Sequence, residues 1–199
     1  MSAAKRRLAV MLSGRGSNFE AIADAAARGE IPNAEIVAVV ADIPSAPGLE
    51  RARHRGLPAY AIDRNAFEDR RAHEREVLRV LESARPDIIC LAGYMRILSR
   101  AFVDAYPGRI LNIHPSLLPR HAGLDPQRRA LQEGDVESGC TVHVVDAGMD
   151  TGRVILQRRV PVLPGDTPES LSARILVEEH ALYPAAIAEV LAALPPPRV

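Results

Sequence analysis

The chain has 199 residues, 47% of them hydrophobic, and its 25 basic and 25 acidic side chains cancel to a formal net charge of zero. That length suits one domain with a sizeable core, and the balanced charge excludes both the bulk basic field of a nucleic-acid binder and an acidic tail. No apolar run approaches a membrane span, and the polar, basic residues 1–7 lead into no signal-type apolar region, so a soluble cytoplasmic protein is expected.

Residues 8–12 are a continuous apolar run and predict a buried parallel strand. Ser13-Gly14-Arg15-Gly16-Ser17-Asn18 follows, and residues 19–28 read as a helix ended by Gly29, with Ser17 or Asn18 as its cap. Strand, glycine turn and helix form a phosphate-binding arrangement: glycine lets the backbone come close, and the helix end offers free N–H groups. The same turn also suits a plain entry into a helix. It lacks the third glycine of the dinucleotide fingerprint and the lysine of a P-loop.

Residues 36–41 predict a second strand. Asp42 stands at its end, where a nicotinamide enzyme would hold a ribose. A short helix over 48–56 points Leu49 and Ala52 inward, and 57–62 read as a third strand. A long amphipathic helix is expected over 67–84, with Val77, Leu78 and Leu81 on its apolar face. Its other side, which includes Arg70 and Glu74, reads as a solvated charged face. Residues 87–92 make the fourth strand. After it, Gly93-Tyr94-Met95-Arg96-Ile97-Leu98 is too apolar for an ordinary exposed connection; packed core and the lining of a flat ligand both fit. Residues 99–106 read as a helix, and Pro107-Gly108 as a turn. Cys90 and Cys140, each inside a strand-like run, read as small core residues, not as a disulfide or a metal site.

The apolar run 110–113 leads into Asn112-Ile113-His114-Pro115-Ser116-Leu117-Leu118-Pro119. On a strand Asn112 and His114 share a face, and Pro115 holds His114 extended. Then come a helix over 126–134, a strand over 139–145 that carries His143, a short loop over 146–153 that carries Asp150, and a strand over 154–160. The last two strands are expected to form an antiparallel hairpin at one sheet edge. The final helix, 168–194, contains Pro184, which should kink or split it. Glu178, Glu179 and His180 form a polar cluster on that helix, and the prolines at 195–197 make a stiff or disordered tail. A carboxylate near His114 would raise its pKa and favour the imidazolium. Asn, His and Asp together suit transfer of an acyl-type carbon: amide and imidazolium donate to an oxyanion, and the histidine moves a proton.

This central run, with Asp150 downstream, resembles the folate-dependent formyltransferases, and within them the phosphoribosylglycinamide (glycinamide ribonucleotide) formyltransferases of purine synthesis. The resemblance extends from residue 8 to about 184. It implies a Rossmann-like, three-layer α/β fold with a mostly parallel central sheet and the antiparallel edge hairpin near the C-terminus. One formyltransferase domain would span 1–199, with a nucleotide-binding half over about 8–106 and a catalytic and folate half over about 107–194. It further implies transfer of the formyl group of 10-formyltetrahydrofolate, a co-substrate, to the amine of glycinamide ribonucleotide, without a metal. Asn112, His114 and Asp150 would be catalytic. Gly16, Ser17, Asn18 and Glu179 would bind the ribonucleotide, and Arg70, Met95, Arg96, Ile97, Leu98 and Asn112 the folate. The partners are then small molecules, with no nucleic acid or membrane, and the chain is a monomer or homodimer.

Three positions depart from the resembled pattern. His121-Ala122-Gly123-Leu124-Asp125 stands where relatives more often carry Pro-Gly-Leu-His. Thr151-Gly152 replaces two glycines, and Leu176 falls where some relatives place a polar residue at the phosphate. Rival readings are a formyltetrahydrofolate deformylase, a methionyl-tRNA formyltransferase and a non-catalytic folate- or nucleotide-binding module. A chain that begins at its first strand and stops at Val199 is expected to lack the extra domains of the first two, and the Asn112–His114–Asp150 set speaks against the third.

Overall fold

The computed structural model describes residues 5–195; residues 1–4 and 196–199, including two prolines of the expected tail, lie outside the described residues. Seven strands alternate with helices along the chain: β1 (Arg6–Leu12), α1 (Ser17–Ala27), β2 (Ala34–Ala41), α2 (Pro47–His54), β3 (Ala59–Ala61), α3 (Arg70–Ala84), β4 (Ile88–Leu91), α4 (Arg100–Ala105), β5 (Ile110–His114), α5 (Pro126–Gln132), β6 (Glu137–Val144), β7 (Val154–Pro161) and α6 (Pro168–Ala193). They form one sheet in the order β3-β2-β1-β4-β5-β6-β7. Strands β1 to β5 are parallel, and β6 and β7 add an antiparallel edge. This is the mostly parallel sheet with an edge hairpin that the sequence predicts.

Period-two alternation splits the core. On β1, Leu8, Val10 and Leu12 join Phe19, Ile22, Leu49 and Tyr183 on one face, whereas Ala9 and Met11 join Val77, Leu81 and Phe102 on the other. Helices α1, α2 and α6 therefore cover one side, and α3 and α4 the other. Cys90 and Cys140 are free and buried. Among the described residues no helix is long and apolar enough to cross a membrane.

The chain order reverses at β1, which lies between β2 and β4. In such sheets a crevice opens beyond the carboxyl ends of the two strands at the reversal. Here the loops after β1 and β4 are tied together: Ser13 N–H donates to the Gly93 carbonyl (3.0 Å), and Met95 N–H donates to Ser13 Oγ (2.9 Å).

Several local expectations are corrected. Helix α3 starts at Arg70 rather than 67, because the Asp69 carboxylate accepts from Ala72 N–H (2.7 Å) and a 3₁₀ turn, Arg64–Ala66, precedes it. Its charged side is not wholly solvated: Glu74 is buried and accepts from Ser99 N–H (2.9 Å). Helix α6 runs through Pro184 without a break. The missing N–H costs one helical bond, but Leu182, Tyr183, Ala186 and Ile187 around it are all buried. Tyr183 Oη also reaches the carbonyls of Leu91 (3.1 Å) and Leu111 (2.9 Å), pinning the helix to the ends of β4 and β5.

Candidate active site

The turn after β1 and the loop after β4 wall a cleft of about 440 Å³, lined by residues 13–18, Ile43, Arg64, Ala92, Gly93 and Met95. Gly16 sits at φ +77° and begins α1 as its cap, with no side-chain capping bond. Neither Ser17 nor Asn18 caps that helix, contrary to expectation. Instead Asn18 turns its amide to Glu179 of α6, at 2.7 Å. A Cβ on residue 16 would lie 2.7 Å from the Gly48 Cα, so Gly16→Ala should both strain the left-handed turn and push α2 away. Expected is a stability loss of about 1–2 kcal/mol by chemical denaturation.

Asp42 is buried and pairs with Arg64 at 3.3 Å. A ribose-binding acid would have to face the cleft, so the nicotinamide reading loses its best residue.

The catalytic candidates meet one strand over. Ladder pairing sets Leu91 beside Asn112, so the Ala92–Gly93 wall of the cleft adjoins the end of β5. There Asn112, His114 and Asp150 converge with His143. Asp150 Oδ2 lies 3.2 Å from His114 Nδ1 and accepts from Gly123 N–H at 2.9 Å. Its Oδ1 lies 3.4 Å from both Asn112 Nδ2 and His143 Nε2. Asn112 Nδ2 is also 3.1 Å from His143 Nε2. His143 is thus a member of the cluster. Asp150 itself takes a left-handed backbone, φ +55°. Its loop is held by the Asp146 carboxylate, which accepts from Gly148 N–H (3.0 Å) and from the Thr151 hydroxyl (2.7 Å). That bond gives the Thr151 departure a structural role.

The pKa balance corrects one expectation. Asp150 does pull His114 upward, and so does the His121 carbonyl, yet burial outweighs both and holds His114 below the ordinary histidine value. Burial pushes Asp150 up in turn, but hydrogen bonds from His143 and Gly123 and the charge of His114 bring it below the usual carboxylate range. In the free site burial therefore favours the neutral imidazole, beside a carboxylate whose ionised form is favoured. His114 Nε2 faces the His121 carbonyl at 3.0 Å and must donate there, which leaves Nδ1 as the nitrogen turned toward Asp150.

Glu179 is buried at Asn18, and desolvation pushes its pKa up to about 7. A raised acid is stabilising while protonated and loses that contribution as pH climbs from its ordinary 4.5 through 7, a change of about 3 kcal/mol. Glu179→Gln keeps the Asn18 bond and cannot ionise. Urea denaturation should find the variant equal to wild type at low pH and more stable above neutrality.

The folate-binding candidates are less concentrated. Met95 and Ile97 are 70% and 58% exposed, whereas Leu98 is packed into the core behind them. Leu124 and Met149, flanking the Asp150 contact, are 82% and 51% exposed, so apolar side chains border the site where a flat ligand would lie. Arg70 is exposed and reaches the loop through Glu74, 3.9 Å away, whose carboxylate also holds Ser99.

Sequence reasoning missed the scaffold under the loop. Thr141 Oγ1 donates to the Ser116 carbonyl (2.6 Å) and accepts from Leu118 N–H (3.1 Å), and Gln157 Nε2 bridges Thr141 Oγ1 and the Leu118 carbonyl, each at 2.8 Å. A threonine and a glutamine on neighbouring edge strands carry no distinctive spacing.

Residues 6–187 match the family model described as "Formyl transferase". The phosphoribosylglycinamide formyltransferase of Escherichia coli (strain K12) is 46% identical over 180 residues, covering 90% of this chain and 84% of that protein. The trifunctional purine biosynthetic protein adenosine-3 of Drosophila melanogaster is 47% identical over 191 residues, 94% of this chain but only 14% of that much longer protein. Among solved structures, the phosphoribosylglycinamide formyltransferase of Brucella melitensis superimposes with a TM-score of 0.89 at 47% identity, covering 96% of this chain and 98% of that one. With its sheet order, its Asn–His–Asp cluster and these matches in agreement, the chain belongs to the formyl transferase family.

Proposed function

We propose that the chain transfers the formyl group of 10-formyltetrahydrofolate to the amine of glycinamide ribonucleotide, in purine biosynthesis. The observation that carries this reading is the meeting of Asn112, His114 and Asp150 beside a glycine-turn cleft. The ribonucleotide phosphate takes the N–H groups of the turn at Gly16, Ser17 and Asn18, and its ribose the Glu179 carboxyl. The folate lies over Met95, Arg96 and Ile97, supported by Leu98, with Arg70 at its charged end. The fold of one sheet around this site fits a single formyltransferase domain, whose nucleotide half covers about 8–106 and whose folate half covers about 107–194.

The substrate amine attacks the formyl carbon. A C–N bond forms and the carbonyl electrons move to oxygen. Asn112 transfers its long 3.4 Å bond from Asp150 to that oxyanion. Neutral His114 takes the proton that the attacking nitrogen must shed, at Nδ1. The resulting imidazolium keeps Nε2–H on the His121 carbonyl, and Asp150, 3.2 Å from the newly protonated Nδ1, stabilises its charge. When the tetrahedral carbon collapses, the bond to the folate nitrogen breaks and His114 returns the proton to it. Atoms and charge balance with no covalent enzyme intermediate.

An absorbance assay with a 10-formylfolate donor tests the reading. Folate product should form only when glycinamide ribonucleotide is present. Equal release without it would make the protein a deformylase, and no release with folate bound would make it a binding module. Glu179→Gln adds a check on the nucleotide site: its KM for the ribonucleotide should rise while the folate KM stays put.

A further inference from the structure

His121 directly precedes Ala122-Gly123-Leu124-Asp125, the stretch that departs from the resembled Pro-Gly-Leu-His, and its surroundings give it a task. Its backbone is left-handed, φ +54°, a conformation that costs a non-glycine residue about 1 kcal/mol or more. The carbonyl in that strained position accepts from His114 Nε2 at 3.0 Å. The imidazole is 6% exposed, and its Nε2 donates to Asp135 Oδ2 at 2.7 Å. Asp135 is gripped in turn by the Arg120 guanidinium. Neighbouring bonds tether the same segment: Ser116 Oγ donates to the Arg120 carbonyl (2.7 Å), and Arg129 Nη1 donates to the Ala122 carbonyl (2.6 Å).

We propose that His121 is a positioning residue for His114, held by Asp135. The side-chain bond to Asp135 fixes residue 121 in its strained conformation. The strained conformation aims the carbonyl at His114 Nε2. That carbonyl keeps the Nε2 proton in place, so that Nδ1, facing Asp150, is the nitrogen that takes and returns the reaction proton. His121, Glu133 and Asp135 also bring three ligand-type atoms within 4.8 Å of one another. A cation there would have to displace Arg120 from Asp135, so the anchor, not a metal site, is what these side chains make.

This inference rests on the role given to His114 above, and its test separates the two. Ring nitrogen NMR of the full-length protein reads the His114 tautomer directly, and steady-state kinetics reads the consequence. In His121→Ala the His114 ring should shift from a single Nε2–H form toward a mixed tautomer. Its kcat should fall between about ten- and a hundredfold, with both KM values unchanged within about twofold. Asp135→Asn keeps shape and one acceptor oxygen, so it should show the same changes in smaller measure and guards against misfolding of the alanine variant. An unaltered His114 spectrum in both variants would overturn the positioning role, whatever happens to kcat. A shifted spectrum with unchanged kcat would leave the anchor standing and count against His114 as the proton carrier.

Discussion

Replacing His114 by alanine is expected to lower kcat by about 10²- to 10⁴-fold while costing the fold only about 1–2 kcal/mol. Both parts follow from the same surroundings. The imidazole is buried at the end of β5, donates to one carbonyl and faces one carboxylate. Removing it leaves the His121 carbonyl without that donor, a modest loss. On the proposed mechanism it also removes the group that accepts the amine proton and returns it to the folate. A fall of that size in kcat corresponds to about 3–5 kcal/mol of barrier, well above the stability cost, so misfolding cannot imitate it. Urea midpoints and kcat measured on the same preparations separate the two. Turnover within a few-fold of wild type would remove His114 from the reaction.

Asp150→Asn should also cut kcat, by about ten- to a hundredfold, and should move the pH profile in a stated direction. Burial already holds His114 below the ordinary value, with Asp150 among the influences opposing that shift. Loss of the carboxylate charge removes the upward pull, so the His114 pKa falls further. On the proposed mechanism His114 acts from its neutral form, so wild-type activity is expected to drop as pH falls through its pKa. In the variant that acid limb therefore lies at lower pH. The rate on the plateau falls because the imidazolium formed during transfer no longer has a carboxylate 3.2 Å away. An acid limb that stays in place, or moves up, would break the pairing of His114 with Asp150.

Much of this was legible in the chain. Apolar runs of strand length between glycine turns and amphipathic stretches specify alternating β and α elements, and the short loop carrying Asp150 specifies the hairpin that forms the sheet edge. Asn112 and His114 share a strand face by simple alternation, and Pro115 marks where the strand stops. What the sequence hides is competition. Whether Asn18 caps α1 or bonds Glu179 depends on a residue 161 positions away. Whether His114 is raised by its carboxylate or lowered by burial depends on how completely the loop covers it, which no spacing states. Glu74 looks like one more charge on a solvated face until Ser99 arrives to be held by it. The anchor formed by His121 and Asp135 joins two loop residues with no motif between them. In each case the deciding partner is brought in by tertiary packing.

The most direct measurement follows the carbon itself. Glycinamide ribonucleotide and 10-formyltetrahydrofolate labelled with carbon-13 in the formyl group are incubated with wild type and with His114→Ala, and products are read by NMR. Label should appear on the ribonucleotide amine, one equivalent per folate released, with wild type and at a rate lower by two or more orders of magnitude with the variant. Label released as free formate at a rate indifferent to the ribonucleotide, or transfer undiminished in His114→Ala, would contradict formyl transfer through the Asn112–His114–Asp150 site.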